Sequence, residues 1–269
     1  MIKMIATDID GTIIKSDFTD GVINCVKKLT EAGIKVVLVT GRMHCSTRYV
    51  ARELGLKTPI VSYQGGLIKS YDGTTLYQRN LPNMYAQPII KWARNNNIHL
   101  NLYMDDKLYV EEDNDTIKQY VEGKHIEYTV CSFDDLELND INKILAIDYK
   151  DEQKVNLWVE ELQETYPALY IVKSTPYFCE ISNKDAKKSA GVDYLRKLWK
   201  FDKSEVLAIG DQNNDIELLK SGGIAVAMGN ATDELKAVAD FVTDTVDNDG
   251  FVKAVEKFVN FEEIEGNDV

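Results

Sequence analysis

The sequence predicts an α/β protein with a doubly wound parallel sheet and a separate α+β domain inserted into it. Two observations support this prediction. Apolar runs of strand length alternate with helical patterns at both ends of the chain, whereas strands follow one another through short turns in the middle. Runs that are apolar throughout indicate strands covered on both faces, and strand–helix alternation indicates parallel pairing. Short turns between strands indicate antiparallel pairing.

The N-terminal part predicts three strands and two helices. Met1–Thr7 and Lys35–Thr40 are apolar runs of strand length, and the stretch "PIVSYQGGLI" (59–68) follows as a third strand. The helix over 20–33 has apolar residues at helical spacing and ends at a glycine, a residue that commonly stops helices. A second helix is predicted over Ser46–Leu54.

The C-terminal part repeats this alternation and should supply the rest of the parallel sheet. In order, the predicted elements are a helix over Ala190–Trp199, the strand "EVLAIGD", a helix over Asp215–Ser221, the strand "GIAVAMG", a helix over Thr232–Ala239 and the strand "FVTD". The acidic end "NFEEIEGNDV" is predicted to fray.

The middle of the chain predicts a mixed domain with a largely antiparallel sheet. In order, the predicted elements are a helix over Tyr85–Asn95, the hairpin "IHLNLYMDDKLYVEE", a helix near Thr116–Glu122, the strand "KILAIDY", a helix over Gln153–Thr165 and the paired strands "LYIVKST" and "YFCEI". We therefore predict a core domain formed by residues 1–82 and 184–269, and an inserted α+β domain over residues 83–183.

The net negative charge of the chain argues against some classes of binding partner. The chain has 269 residues, with 44 Asp and Glu against 31 Lys and Arg and a formal net charge of -13. Nucleic acid and anionic membranes are therefore not expected as partners. No stretch approaches the roughly 20 apolar residues of a membrane helix, and no obligate protein partner is indicated. The four scattered cysteines form no Cys-x-x-Cys pair, which predicts reduced thiols in a cytoplasmic protein.

Two carboxylates, Asp8 and Asp10, follow the first predicted strand in the stretch "DIDGT". Open α/β sheets bind ligands at the carboxyl ends of their strands, so this position favours a functional role. Asp, Gly and Thr are also common turn residues, and a plain junction between strand and turn is the competing interpretation of these five residues.

Three further polar groups occupy comparable positions. "TGR" (40–42) ends the second predicted strand, where a hydroxyl and a glycine suit an oxyanion, although Thr-Gly is often only a turn. Lys188, in "NKDAKKSAG", begins a helix and could neutralise a phosphate, or be a surface lysine like its neighbours. "GDQNND" (210–215) follows the strand "VLAI". Its carboxylates suit magnesium, and its last aspartate could instead cap the next helix.

In this order, D-x-D-G-T, T-G, Lys and G-D-x-x-N-D resemble the motifs of the haloacid dehalogenase (HAD) superfamily of phosphatases. The C-terminal stretch "AVAMGNATDELKAVADFVTDTVDNDG" is similar to its Cof-type branch, subfamily IIB. The resemblance implies a Rossmann-like core, and the long insertion between Thr40 and Lys188 lies where this branch carries an α+β cap domain of the C2B type. One departure is Gln64, because relatives usually have Asn at this position.

The resemblance also implies a Mg²⁺-dependent phosphatase that hydrolyses a small phosphorylated metabolite, such as a sugar phosphate, through an aspartyl-phosphate. Asp8 would attack phosphorus, and Asp10 would protonate the leaving alcohol and then activate water. Asp8, the backbone carbonyl of Asp10 and Asp211 would hold the metal, while Asp215 would orient the metal loop. The implied contacts to phosphate are Lys188, Thr40, the amides of Ile9 and Gly41, and Asn214. Arg42, beside the phosphate loop, is a candidate for a contact that sets substrate specificity.

Other interpretations stay open. A sugar phosphomutase would use the same pair of aspartates, but its acyl phosphate must resist water and return to a sugar hydroxyl. A non-catalytic phospho-acceptor or binding protein is a third class. Mg²⁺-dependent release of inorganic phosphate would separate a phosphatase from both. The adjacent Lys187 stays an alternative to Lys188 as the catalytic lysine.

Overall fold

The computed structural model describes residues 1–124 and 126–261. Its strands are β1 (Met4–Thr7), β2 (Lys35–Leu38), β3 (Ile60–Ser62), β4 (Leu67–Lys69), β5 (Thr75–Gln78), β6 (His99–Met104), β7 (Lys107–Val110), β8 (Tyr128–Val130), β9 (Ile141–Ile147), β10 (Leu169–Thr175), β11 (Phe178–Asn183), β12 (Val206–Gly210), β13 (Ile224–Ala227) and β14 (Phe241–Val242). Its α-helices are α1 (Asp20–Glu31), α2 (His44–Glu53), α3 (Ala86–Asn95), α4 (Asp115–Val121), α5 (Glu152–Thr165), α6 (Lys188–Leu198), α7 (Ile216–Ser221), α8 (Asp233–Ala237) and α9 (Gly250–Phe258). The predicted frayed end lies, from residue 262 onward, outside the described residues.

The first sheet is parallel throughout and has the order β14-β13-β12-β1-β2. Its central strands carry apolar side chains on both faces, since Ile5 and Ile209 belong to one buried cluster and Met4 and Ala208 to another. Helices α1, α2, α8 and α9 cover the first face, and α6 and α7 cover the second. The predicted doubly wound sheet is therefore confirmed, and β1 lies where the strand order reverses.

The second sheet has the order β10-β11-β9-β6-β7-β8 and is antiparallel except for the pair β7–β8. The prediction of a largely antiparallel sheet is confirmed. Its hairpin turns at Asp105 and Asp106, whose positive φ values suit a tight two-residue turn. Helices α3 and α5 cover one face. The other face, which carries Leu145, contacts Met43 and Tyr63 beside the parallel sheet.

The prediction of one strand over "PIVSYQGGLI" is wrong. The chain reverses at residues 63–65, where Tyr63 and Gln64 have φ values of 51° and 57°, and β3 and β4 pair antiparallel on either side. β5 completes this small sheet, and β3 stays beside β2 through one parallel bridge. Gly65 permits the reversal, because its φ is 97° and a Cβ there would lie 2.0 Å from the Lys187 carbonyl oxygen.

The predicted helices begin and end within two residues of the observed ones, but three elements were missed: β5, β8 and α9. Helix α9 has buried apolar residues at 251, 254 and 255, a spacing typical of an amphipathic helix, so its pattern was open to prediction. Strands β5 and β8 are 4 and 3 residues long and partly exposed, which leaves no alternation to detect.

The six-stranded sheet is formed by chain between His99 and Asn183, and every strand of the parallel sheet lies outside that stretch. The domain limits 1–82, 83–183 and 184–269 stay a prediction. Within the part of the chain that the structure describes, no helix is long and apolar enough to cross a membrane.

Candidate active site

Asp8 lies in a cavity at the carboxyl end of the parallel sheet. It directly follows β1, and its amide donates to the Ile209 carbonyl at 3.0 Å, which holds it at the end of the sheet. Its buried side chain accepts a hydrogen bond from Lys188 Nζ at 2.6 Å. Burial raises the pKa of Asp8 well above its usual range, and the Lys188 ammonium opposes this increase. The carboxylates of Asp215 and Asp211 raise this pKa further.

Lys188 is enclosed at the first turn of α6. Its side chain is 1% exposed, and its Nζ lies 2.6 Å from Asp8 Oδ1 and 2.5 Å from Asp215 Oδ1. Burial alone would lower the pKa of this ammonium, but the Asp215 and Asp8 carboxylates outweigh burial and raise it. Lys187 instead places its Nζ 5.8 Å from the centre of the Tyr170 ring. The structure therefore brings Lys188, and not its neighbour, to Asp8.

Asp211 and Asp215 complete a buried cluster of carboxylates. Oxygens of Asp8, Asp211 and Asp215 lie within 4.8 Å of one another. Asp215 lies in the loop after β12, and its Oδ2 accepts from the backbone amides of Asp211 and Gln212 at 3.0 Å. Its Oδ1 accepts from Lys188. Both oxygens of Asp215 therefore hold protein groups in place.

Asp211 lies in the same loop and lines the cavity. Its Oδ1 accepts from Thr12 Oγ1 at 3.1 Å and its Oδ2 from Gln212 Nε2 at 3.0 Å. Burial and the charge of Asp215 raise its pKa to about 6, although both hydrogen bonds oppose the increase. Gly11 permits the close approach of the two loops, because its φ is +78° and a Cβ there would lie 2.3 Å from Asp211 Oδ2.

This set of donors fits a divalent cation. Three buried carboxylates surround one ammonium, so negative charge exceeds positive charge when all of them are ionised. Magnesium prefers oxygen ligands, and its positive charge would oppose the burial and the mutual repulsion that together raise the pKa of Asp8 and Asp211. Asp8 and Asp211 line the cavity, whereas Asp215 is fully buried behind them, so Asp8 and Asp211 are the carboxylates that could bind the ion.

Asp10 also lines the cavity but is far more exposed than Asp8. Its side chain is 60% exposed, and both oxygens accept hydrogen bonds from the Arg42 guanidinium, one of them from Nε at 2.7 Å. Burial alone would lower the pKa of Arg42, but the hydrogen bonds and charge of Asp10 outweigh burial and raise it. Asp8 and Asp10 thus each have a cation of their own, although one residue separates them.

Thr40 and Gly41 line the cavity just after β2. Thr40 is buried, and its hydroxyl oxygen accepts from the Arg42 amide at 3.1 Å. At Gly41 a Cβ would lie 2.5 Å from Gln64 Nε2, so glycine allows Gln64 to approach. Asn214 Nδ2 donates to Gln64 Oε1 at 3.3 Å. Gln64 Nε2 and Asn214 Oδ1 are buried without a partner in the described residues, which indicates a place for a polar ligand.

The six-stranded sheet and its loops form the other wall of the cavity, whose volume is about 450 Å³. The residues that line it on this side are Tyr120, Lys124, Ile126, Lys143, Leu145, Ser174, Thr175, Pro176, Phe178 and Glu180. Lys143 pairs with Glu180 at 3.0 Å, and both side chains are buried. Lys143 Nζ also donates to the Gly41 carbonyl at 2.8 Å, which joins this wall to the loop after β2.

A second contact between the two walls lies at the start of α2. Met43, at the N-cap position of this helix, supplies no side-chain hydrogen bond. Asp106, in the turn between β6 and β7, accepts instead from the amides of His44 and Cys45, each at 3.0 Å, and from the Tyr63 hydroxyl at 2.8 Å. A residue from the opposite wall therefore caps the helix that follows "TGR".

The cavity brings most of the predicted site residues together: Asp8, Asp10, Thr40, Gly41, Arg42, Asp211 and Asn214 line it. Lys188 and Asp215 are buried against Asp8. The Ile9 side chain lies in the hydrophobic core, so only its backbone belongs to the loop beside Asp8. The sequence analysis missed the pair Lys143–Glu180. A charged residue within each of the apolar stretches "KILAIDY" and "YFCEI" was the signal that could have found it.

The chain is similar to known proteins over almost its whole length. The family model of the haloacid dehalogenase-like hydrolases matches residues 5–255. Phosphatase YwpJ of Bacillus subtilis is 27% identical, over 93% of this chain and 97% of its own. The 5-amino-6-(5-phospho-D-ribitylamino)uracil phosphatase YcsE of the same organism is also 27% identical, over 96% of each chain.

A solved structure shares the whole architecture. A haloacid dehalogenase-like hydrolase from Bacteroides thetaiotaomicron superposes with a TM-score of 0.86 at 27% identity, over 96% of this chain and 100% of its own. The match of sequence extends from β1 to α9 and includes every loop that lines the cavity. The chain therefore belongs to the haloacid dehalogenase-like hydrolases, and it is a Cof-type phosphatase of that family.

Proposed function

We propose that the protein hydrolyses small phosphate monoesters with Mg²⁺ as cofactor, through a phosphorylated Asp8. The observation that carries this proposal is the pairing of the buried Asp8 with Lys188 at 2.6 Å, beside a second carboxylate, Asp211, that could share a cation. A carboxylate attacks phosphorus as the anion. Lys188 favours that anion and opposes the effect of burial, which raises the pKa of Asp8.

The two half-reactions need one nucleophile and one group that moves a proton. In the first, an Asp8 oxygen forms a bond to phosphorus, the bond from phosphorus to the leaving oxygen breaks, and Asp10 donates a proton to that oxygen. In the second, Asp10 takes a proton from water, the water oxygen bonds to phosphorus, and Asp8 is released as carboxylate together with inorganic phosphate. The exposure of Asp10 to the cavity supports its role in both steps.

At least one hydrogen bond between Arg42 and Asp10 must break during this cycle. Both Asp10 oxygens accept hydrogen bonds from the Arg42 guanidinium. Donation of a proton to the leaving oxygen requires one of these oxygens to exchange its hydrogen bond for a proton. We expect the substrate to compete for Arg42, which would then contact the substrate itself.

Asp8, Asp211 and the backbone carbonyl of Asp10 would hold the Mg²⁺ ion, and Asp215 would keep the metal loop in place. When bound, the ion supplies positive charge that offsets the repulsion between an anionic nucleophile and a phosphate dianion. The unpartnered Gln64 Nε2, a hydrogen-bond donor, supports a phosphate site on the same side of the cavity. The expected donors to the phosphate oxygens are Lys188, Thr40, Asn214 and the amides of Ile9 and Gly41.

A compact phosphorylated metabolite is the substrate class that we propose. A cavity of about 450 Å³ is large enough to enclose a molecule the size of a sugar phosphate. The relative YcsE is named for a substrate that joins a phosphate to a ribityl chain, and a sugar phosphate is our first candidate. We place the enzyme in the cytoplasm, where its four free cysteines would stay reduced.

Replacing Asp8 by Asn tests the proposal, because an amide keeps the size of the side chain but forms no acyl phosphate. Asp8→Asn should abolish Mg²⁺-dependent release of phosphate from p-nitrophenyl phosphate, whereas the control Asp17→Asn, at an exposed position, should not. Acid quench of the wild type during turnover, followed by borohydride reduction and mass spectrometry, should find homoserine at position 8. Normal turnover of Asp8→Asn would refute the proposal. Phosphate release without an added bisphosphate sugar would exclude a phosphomutase.

A further inference from the structure

Lys124 lies in the wall of the cavity that the inserted sheet provides, just after α4. Helix α4 ends at Val121, and Gly123 then turns the chain with a φ of +70°. The Ser46 hydroxyl, on α2 in the opposite wall, donates to the Lys124 carbonyl at 3.0 Å. The backbone of Lys124 is therefore fixed across the gap between the two walls, and its side chain reaches the cavity from the side opposite Asp8.

The Lys124 ammonium is bracketed by aromatic rings that also line the cavity. Its Nζ lies 4.1 Å from the centre of the Tyr120 ring and 5.9 Å from that of Phe178. Rings attract a cation through their faces but do not neutralise it. The rings hold the long side chain in one direction, so a ligand would meet an ammonium that is already in place.

The other cations at this cavity have carboxylate partners. Arg42 pairs with Asp10, and Lys143 pairs with Glu180 at 3.0 Å. Lys188 is held by two carboxylates. In contrast, no carboxylate within residues 1–124 and 126–261 forms an ion pair with Lys124, although the chain carries a formal net charge of -13.

Because Lys124 is partly buried, the lack of a carboxylate partner is unfavourable for its ammonium. Burial lowers the pKa of Lys124 to about 8, and the charges of Arg42 and Lys143 lower it too, while Asp10 opposes them. The side chain is still mostly charged at neutral pH. The neighbouring cations are already neutralised by carboxylates. An incoming anionic group therefore gains more binding free energy at this half-buried ammonium than at those cations.

We propose that Lys124 binds a second anionic group on the leaving portion of the substrate, a carboxylate or a further phosphate. This inference rests on the proposed function, since it assigns the transferred phosphoryl group to Asp8 and Lys188 and the remote anion to Lys124. Preferred substrates are then compact phosphate monoesters with a negative charge at each end. The apolar side chains of Ile126 and Leu145, which line the same wall, face the carbon skeleton between the two charges.

Matched pairs of substrates and matched variants test this assignment. Lys124→Met removes the charge and keeps the stem that packs on Tyr120, while Lys124→Arg keeps the charge. Lys118→Met, on the exposed side of α4 where Lys118 pairs with Asp113, is the control. The substrates are phosphoglycerate against glycerol phosphate, fructose bisphosphate against fructose monophosphate, and p-nitrophenyl phosphate as a compound without a second strong charge.

We expect the wild type to prefer the anionic member of at least one pair. Lys124→Met should lower kcat/KM for that member about tenfold or more, as loss of a charge-assisted contact does. The other member and p-nitrophenyl phosphate should change less than about twofold. Lys124→Arg should restore the preference, and Lys118→Met should keep it. The pair that responds distinguishes a carboxylate from a phosphate.

Two results would overturn the assignment. One is a wild type that prefers neither anionic member. The other is a Lys124→Met variant that loses activity equally on all substrates, which would place the lysine on the transferred phosphoryl group. Failure of the proposed function looks different, because no substrate would then release phosphate with Mg²⁺. In that case calorimetric affinities for phosphoglycerate and fructose bisphosphate still decide: equal affinities of wild type and Lys124→Met overturn the Lys124 site.

Discussion

Removal of the Lys188 charge should destabilise the protein as well as inactivate it. The lysine is 1% exposed and lies within 2.6 Å of oxygens of both Asp8 and Asp215, so Lys188→Met leaves two carboxylates buried without their cation. Loss of one partner of a buried ion pair costs about 3–5 kcal/mol. Because this lysine serves two carboxylates, we expect a loss of about 4 kcal/mol in the free energy of unfolding.

The pH dependence of this loss follows from Asp8. Its pKa in the folded protein is already raised, and removal of the Lys188 charge should raise it further. The folded variant then takes up a proton that the unfolded chain binds only at lower pH. The loss of stability is therefore greatest above the folded pKa and shrinks as pH falls below it. Saturating Mg²⁺ should also reduce the loss, since it returns positive charge to the same carboxylates.

The assay is urea unfolding of wild type, Lys188→Met and Lys187→Met, with EDTA or with MgCl₂, at neutral and at acidic pH. Turnover of p-nitrophenyl phosphate is measured on the same samples and should fall at least about 100-fold in Lys188→Met. Lys187→Met is the matched control, because its Nζ lies against the Tyr170 ring and not against Asp8. Near-normal stability and turnover in Lys188→Met, or the larger loss in Lys187→Met, would refute the reasoning.

Three further outcomes are expected. Saturating Mg²⁺ should raise the Tm of the wild type by about 5–10 °C, since ligand at about 100 times its Kd adds about 2.7 kcal/mol, and an unchanged Tm would contradict the cation site. Burial lowers the pKa of His44 to about 4, so only the unfolded chain gains this proton as pH falls below 6.5. When the pH is lowered to about 5, the wild type should therefore lose about 2 kcal/mol more of its free energy of unfolding than His44→Gln. Urea unfolding measures this difference, and the same dependence of stability on pH in both proteins would contradict the prediction. Asp106→Asn should lower the free energy of unfolding by about 1 kcal/mol through weaker capping of α2, whereas a similar effect of Asp105→Asn, in the same turn, would contradict the capping role.

The part of the site that depends on strand ends could be predicted from the sequence. Asp8, Thr40 and Asp211 each follow a strand of the parallel sheet within two residues, and parallel strands bring their carboxyl ends to one edge. Lys188 was recognisable only by its place in the order of motifs, because its sequence neighbourhood is that of a surface lysine. Its burial depends on α6 packing against the sheet, which local sequence does not encode.

The contacts between the two walls could not be predicted. Lys143 and Gly41 are 102 residues apart, and Asp106 lies 62 residues from the helix end that it caps. Such pairs depend on how the inserted sheet sits over the parallel one, and no local pattern of apolar residues specifies that placement. The turn at residues 63–65 was missed for a different reason. Two non-glycine residues adopt positive φ there, contrary to their intrinsic preference, in a stretch that tertiary packing encloses.

The turn after β1 reduces the repulsion between two carboxylates that are two residues apart in an acidic chain. The strand ends at Thr7, so Asp8 and Asp10 do not share a face of the sheet: Asp8 is directed inward to Lys188, and Asp10 outward to Arg42. Each carboxylate thus has its own cation and its own degree of burial. A buried anion held by a fixed lysine suits attack on phosphorus, whereas an exposed carboxylate on a displaceable arginine suits the repeated gain and loss of a proton. The same separation predicts that Arg42→Ala should alter proton transfer at Asp10 while leaving the pairing of Asp8 with Lys188 intact.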